Sequence, residues 1–162
     1  MNYRMVFSTV GKVLRTEGLL MLLPLAVSLI YQEWWSAISF LIVASAVVLI
    51  GFILTKFLKP KSEVLFAKEG LVTVALSWIA VSLFGAVPFV ISGEIPNYVD
   101  ALFEIVSGFT TTGASVVNDV LALDKGMLFW RSFSIWIGGM GVIVFILAIT
   151  SKAPDRSMHI LR

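Results

Sequence analysis

Four long apolar runs, separated by shorter polar stretches, dominate the hydrophobic pattern of this chain. They cover residues 18–32, 36–55, 70–93 and 132–151. A helix needs about 20 apolar residues to cross the hydrocarbon core of a bilayer, and the last three runs meet that length. The first run is shorter, but the amphipathic stretch before it can extend the helix. The pattern therefore predicts four transmembrane helices.

Only a few residues join the first two predicted helices. Pro24 lies inside the first and predicts a kink, because proline lacks the N–H of the helical ladder. Glu33, Trp34 and Trp35 separate the two runs, and tryptophans beside an acid are typical of a membrane interface. So short a connection predicts an antiparallel hairpin, followed by a polar loop that begins at Lys59.

Residues 94–131 do not fit the pattern of long spans. Residues 98–109 predict a helix, with Asn97 as its N-cap and Asp100 placed to reach back as in a capping box. Such a helix is about 18 Å long, which is too short to cross a bilayer. Its length is typical of a re-entrant or interfacial segment.

A hydroxyl-rich stretch follows this short helix: Thr110-Thr111-Thr112-Gly113-Ala114-Ser115. At membrane depth, irregular backbone persists only where it is buried in protein or lines a watery cavity. The negative end of the helix dipole and the loop carbonyls could then replace a cation's water shell, with glycine supplying an unusual backbone conformation. The alternative is a surface helix with an ordinary Ser/Thr loop. The flanking spans favour a pore loop.

Three polar residues of the short helix, Asp100, Glu104 and Ser107, fall on one helical face at spacings of four and three. One hypothesis is an acidic outer funnel that gathers cations, with Asp100 and Glu104 in the vestibule. The alternative for Asp100 is a hydrated helix end. A charge at Glu104 is unfavourable unless it meets water or a partner, so we expect a structural partner there, with Arg131 as the candidate.

The last predicted span contains Gly138-Gly139-Met140-Gly141. Small residues allow membrane helices to approach closely, and this is the role we expect for them. A hinge is the alternative.

Composition excludes most soluble functions. The chain is 59% hydrophobic and only 14% charged, whereas soluble domains carry about 25% charged residues. It has no cysteine, which excludes disulfides and thiolate chemistry, and its one histidine, His159, lies in a polar tail. No nucleophile–base pair or metal-ligand cluster falls inside spans two to four. We therefore expect no enzyme and no cofactor.

The distribution of basic residues predicts the topology. With four spans, only Lys125 and Arg131 fall on one side of the membrane, and ten basic residues fall on the other. By the positive-inside rule, the side with ten is cytoplasmic and holds both termini. The ten are Arg4, Lys12, Arg15, Lys56, Lys59, Lys61, Lys68, Lys152, Arg156 and Arg162.

Two sequence blocks resemble one known family, the TrkH/KtrB potassium transporters. Residues 101–104 (ALFE) and 107–115 (SGFTTTGAS) look like the first pore loop of that family. Residues 130–132 (WRS) and 136–141 (WIGGMG) are similar to the helix that follows this loop in the TrkH branch. The resemblance covers nearly all of the chain, including the hairpin ahead of the loop.

The resemblance implies an all-α integral membrane fold with four transmembrane helices and a re-entrant pore helix. The two-helix hairpin would occupy residues 1–58, one helix–pore loop–helix unit residues 69–151, and a cytoplasmic tail residues 152–162. The filter backbone would be Thr110, Thr111, Thr112 and Gly113, with K⁺ at the last three. Gly113 matches the glycine that the family associates with potassium preference.

Family members repeat this unit four times in one chain and dimerise. A cytoplasmic nucleotide-binding ring protein of the TrkA type regulates them. The implied partners are therefore the remaining repeats, a second copy, that regulator and the lipids of a bacterial plasma (inner) membrane, with no nucleic acid. K⁺ would be the transported ion and not a cofactor.

The chain departs from the family in containing one unit instead of four. It therefore looks like the amino-terminal portion of a potassium uptake transporter, as a fragment or a split subunit. The alternative is a membrane scaffold or assembly subunit without its own ion pathway. Ion flux that depends on Gly113 would separate the two.

The charge asymmetry makes the topology testable. Single cysteines at Asn97, Asp119 and Ser62 should react differently with an impermeant thiol reagent in intact cells. We expect labelling at the first two positions, which the basic residues place outside, and none at Ser62. Strong labelling at Ser62 alone would reverse the orientation.

Overall fold

The structure is a computed structural model that describes residues 2–58 and 67–150, apart from the side chains of residues 67, 68, 142 and 144–150. Its described part is helical, with a single 3₁₀ turn at Val120–Ala122. The predicted loop at Lys59 and the predicted tail, residues 152–162, lie outside the described residues. The helices are α1 Tyr3–Leu20, α2 Leu22–Ile30, α3 Trp34–Phe57, α4 Ala67–Gly85, α5 Val87–Ser92, α6 Tyr98–Phe109 and α7 Lys125–Thr150.

Three stretches of the described chain are long and apolar enough to cross a membrane: Tyr3–Ile30, Trp34–Phe57 and Glu69–Ser92. They match the first three predicted spans. The fourth predicted span, residues 132–151, lies in α7, a helix of 26 residues, except for its last residue, which is outside the described part of the chain. The all-helical membrane fold expected from the hydrophobic runs is thereby confirmed.

Proline interrupts two of these stretches. Pro24 cannot donate to the carbonyl of Leu20, and the first stretch breaks at Met21 into α1 and α2. Pro88 stands at the start of α5, and the third stretch breaks in the same way at Ala86. The kink predicted at Pro24 is thus a helix break three residues before the proline.

The amino-terminal hairpin is held by close backbone contact between α1 and α3. A Cβ on Gly51 would lie 2.5 Å from the carbonyl oxygen of Gly11, and one on Gly18 would lie 2.9 Å from that of Ala44. With small residues at these points the two backbones approach closely, as membrane helices do where no hydrophobic effect drives them together.

Trp130 on α7 is the centre of the buried core. Its ring is fully buried and packs edge-on against Phe40 of α3 and Phe109 of α6. The indole Nε1–H donates to the carbonyl oxygen of Gly85 at 2.9 Å. One side chain therefore joins the hairpin, the last turn of α4, the end of α6 and α7.

A larger side chain at Gly51 should force the hairpin apart. We expect Gly51→Val to lower the free energy of unfolding by roughly 1–3 kcal/mol, as overpacking does elsewhere. Ala46→Val is the matched control, because Ala46 is exposed on the same helix. Thermal melting in detergent should show a lower Tm for the first variant only, and equal Tm values would contradict the close contact.

Candidate functional site

The short helix α6 begins and ends where the sequence predicts. The side chain of Asn97 caps its amino terminus by accepting from the amide of Val99 at 2.9 Å. Its last turn lies directly on α7. A Cβ on Gly108 would strike Ser134, and one on Gly138 would strike the backbone of Phe109. Gly138 therefore allows α6 and α7 to pack closely, which is the role expected for it.

The backbone after α6 turns back on the helix instead of continuing it. The amides of Thr111 and Thr112 donate to the carbonyls of Gly108 and Ser107, both at 2.9 Å. Thr111 has a φ of 57° and Gly113 a φ of 76°, both in the left-handed region. Glycine adopts this conformation freely, whereas a threonine there is strained by roughly 1–2 kcal/mol. Such strain concentrates at functional sites.

The turn uses the amides of the loop and leaves its carbonyl oxygens free. No hydrogen bond within the described part of the chain ends on a carbonyl oxygen of residues 110–113. The whole segment from Thr110 to Val116 is also exposed. Four consecutive exposed carbonyls are the kind of ligand that replaces the hydration shell of a cation such as K⁺.

Glu104 anchors the outer end of this loop. Its carboxylate accepts from the hydroxyl of Ser115 at 3.0 Å and from the amide of Val116 at 3.1 Å. The other carboxylate oxygen forms an ion pair with Nε of Arg131 on α7. One turn later on α6, the hydroxyl of Ser107 donates to the carbonyl of Ala114 at 2.6 Å. These contacts fix the carboxy-terminal end of the exposed segment, residues 114–116, against α6.

The two acidic residues expected in an outer vestibule therefore differ. The Glu104 side chain is completely buried. It does not line a vestibule, because it is buried and both its carboxylate oxygens contact protein groups. The structural partner expected for it, Arg131, is confirmed. Asp100 is partly exposed in the first turn of α6, where a carboxylate also complements the helix dipole.

A second set of carboxylates fixes α7 against the hairpin and the loop after α5. Glu33 accepts from the amides of Lys125 and Gly126, at 2.6 and 2.9 Å, at the start of α7. Asp124 accepts from the hydroxyl of Ser36, and its amide donates to Glu94 at 3.3 Å. The pKa of Glu94 is raised above its usual value, mainly by burial. The hydrogen bond from the Asp124 amide opposes this shift, and the charges of Asp124 and Glu33 add to it.

Some contacts of the site could not be predicted, because no pattern in the sequence indicates them. Glu33 reads as the acid of an interface belt, yet it caps a helix more than ninety residues later in the chain. Ser107 falls on the predicted polar face, but its bond to Ala114 requires the left-handed turn between them. Gly108 reads as part of a motif, and only the fold shows that Ser134 packs against it.

These features define an all-helical membrane protein in which a short helix and a loop of free carbonyls lie between two long helices. The chain also matches the family model TrkH, "Cation transport protein", over residues 33–161. It belongs to this family of cation transport proteins.

Individual proteins agree with the family match. The chain is 37% identical to the Trk system potassium uptake protein TrkG of Escherichia coli, over 91% of this chain and 30% of that protein. It is 35% identical to an uncharacterized cation transporter of Methanocaldococcus jannaschii, over 91% of this chain and 31% of that protein. The crystal structure of the potassium transporter TrkH from Vibrio parahaemolyticus matches with a TM-score of 0.85 and 33% identity, covering 92% of this chain and 32% of that one. The chain thus spans about a third of the length of these relatives.

Removing the charge of Glu104 should loosen the loop. We expect Glu104→Gln to lower the free energy of unfolding by roughly 2 kcal/mol, less than for a fully buried pair because the Arg131 side chain keeps 15% exposure. Amide exchange at Val116 should also accelerate, because its acceptor weakens. Asp100→Asn on the same helix is the control. Unchanged exchange at Val116 would show that Glu104 does not hold the loop.

Proposed function

We propose that this chain forms one side of a potassium pathway, as the first pore-loop unit of a Trk-type potassium uptake transporter. The observation that supports the proposal best is the exposed loop at Thr110–Gly113 with its unbonded carbonyls. The backbone oxygens that would contact K⁺ are those of Thr111, Thr112 and Gly113. Thr110 would continue the filter toward α6, and α6 would act as the re-entrant pore helix. Asp100 would lie near the outer mouth.

One loop offers oxygens from one side of an ion only. A carbonyl filter surrounds the ion and so compensates for the lost hydration shell, which requires several such loops. The remaining loops would come from the rest of the same transporter, whose relatives are about three times longer than this chain. A second copy of the full-length form and a TrkA-type regulator on the cytoplasmic side are further proposed partners.

The proposed location is a bacterial plasma membrane, with both termini cytoplasmic. Among the described basic residues, Arg4, Lys12 and Arg15 lie on α1 and Lys56 lies at the end of α3. An antiparallel hairpin brings these positions to one side of the membrane. The proposal is a transport function without catalysis. A scaffold without an ion pathway is not favoured, because the family and the similar proteins are cation transporters.

The test is growth of a potassium-uptake-deficient bacterium on low potassium. The host would express this chain alone, or together with the carboxy-terminal remainder of a related transporter. We expect growth only with both parts, because one loop cannot enclose the ion. Robust growth with the chain alone would favour a channel of four identical copies over this proposal.

Within the complemented transporter, Gly113→Ser should reduce the preference for potassium over sodium by about tenfold. That factor equals about 1.4 kcal/mol, similar to the strain of an L-residue at positive φ. Gly93→Ser is a matched control, because Gly93 has a φ of 84° and equally open space but lies at the end of α5. Uptake of rubidium and sodium into proteoliposomes measures the ratio. An unchanged ratio with normal expression would remove Gly113 from the filter.

A further inference from the structure

A cavity of about 460 Å³ lies behind α6, away from the exposed loop. Residues of α1, α4 and α7 line it, together with Phe109 at the end of α6. The volume is within the range of pockets that hold small organic molecules. The pocket is open on one side, and the residues that line it belong to this chain.

Glu17 of α1 lines this cavity with a buried carboxyl group. Its residue exposure is 5%, and neither carboxylate oxygen has a hydrogen-bond donor among the described residues. The neighbouring Gly18 packs on Ala44, midway along α3, which places Glu17 near the middle of the membrane. A carboxylate at that depth is unfavourable without a partner and is a functional-site candidate by default.

The rest of the lining indicates which partner fits. Three aromatic rings, those of Trp78, Phe109 and Trp130, line the cavity, and aliphatic and hydroxyl-bearing residues share the remaining wall. The hydroxyl of Ser77 also borders the cavity and has no hydrogen-bond partner in the described structure. Aromatic faces attract organic cations, and their apolar surfaces receive a hydrocarbon body.

An inorganic cation fits this lining poorly. It would need several oxygens to replace its water, whereas the cavity offers one carboxylate and a few hydroxyls. The hydroxyls of Thr16 and Thr73 already donate to the carbonyls of Lys12 and Glu69. A neutral apolar molecule, in turn, would leave the carboxylate unpaired.

We propose that this cavity is a binding site for an amphiphilic organic monocation, whose ammonium group pairs with Glu17 and hydrogen-bonds to Ser77 while its apolar body packs on the aromatic wall. The site is separate from the proposed potassium pathway. Binding at this site can be measured on this chain, so the proposal is tested independently of the proposed transport function.

The test uses the full chain in uncharged detergent and two ligands of nearly equal shape. The first is 4-(trifluoromethyl)benzylamine, protonated at neutral pH, and the second is the corresponding benzyl alcohol. Fluorine NMR titration measures both affinities. We expect the amine to bind at least about tenfold more tightly than the alcohol, because a charge-assisted hydrogen bond forms only with the amine. Equal binding of the two ligands, or no binding of the amine, would overturn the proposal.

Variants locate the site. Glu17→Gln should weaken amine binding at least about tenfold and leave the alcohol unchanged, while Asp119→Asn, an acid-to-amide change in an exposed loop, should change neither. Ser77→Ala removes a hydroxyl that has no hydrogen-bond partner in the described part of the chain, so it tests the site even if Glu17→Gln unfolds. It should weaken amine binding roughly threefold. Full amine affinity in the folded Glu17→Gln variant, or in Ser77→Ala where Glu17→Gln does not fold, would contradict the assignment.

Discussion

The conformation of the loop after α6 depends on one buried carboxylate. Glu104 is on α6, and its ionic partner Arg131 is on α7. Its two hydrogen-bonded partners, Ser115 and Val116, lie in the loop that returns after α6. A charge in so apolar a setting is stable only if protein groups replace its hydration, and here three of them do. The segment between the helix and this anchor is then held at both ends. Its amides turn inward, and the carbonyl oxygens of residues 110–113 accept no hydrogen bond from the residues that the structure describes.

Close backbone contacts make that arrangement possible. Gly108 and Gly138 let α6 lie close against α7, since only the small side chain of Ser134 packs on Gly108. Gly51 allows the same close approach between α1 and α3. The helix break before Pro88 contributes as well. Near it, the carbonyls of Gly85 and Leu83 accept from Trp130 and from the hydroxyl of Tyr98. Backbone groups released by a helix break in a membrane need such replacement partners. The interruptions of the helices therefore become points of attachment between them.

The two proposals concern opposite sides of α6. The exposed loop has free backbone oxygens and no side-chain charge of its own, which suits a dehydrated ion that must enter and leave. The cavity behind α6 has one buried carboxyl group that lacks a hydrogen-bond partner among the described residues. Together with the aromatic rings it suits a cation with an apolar body. Phe109 lies between them, because it ends α6 and also lines the cavity. An occupant of the cavity would thus contact the residue that precedes the loop.

The sequence by itself determined the membrane class, the number and placement of the long helices, the short helix with its Asn97 cap, and the family. Each of these depends on local pattern: the length of an apolar run, the residue before a helix, or a contiguous motif. It also indicated the pairing of Glu104 with Arg131. A membrane-buried acid needs a partner, and Arg131 directly precedes the fourth predicted span. Only the tertiary structure decided that Glu104 is fully buried instead of lining a vestibule, and that Glu33 caps α7. The tertiary structure was also needed to show that Glu17 lines a cavity. The reason is that burial and long-range hydrogen bonds follow from which helix faces meet, and the helical period gives the faces of one helix but not the partner against which each face packs.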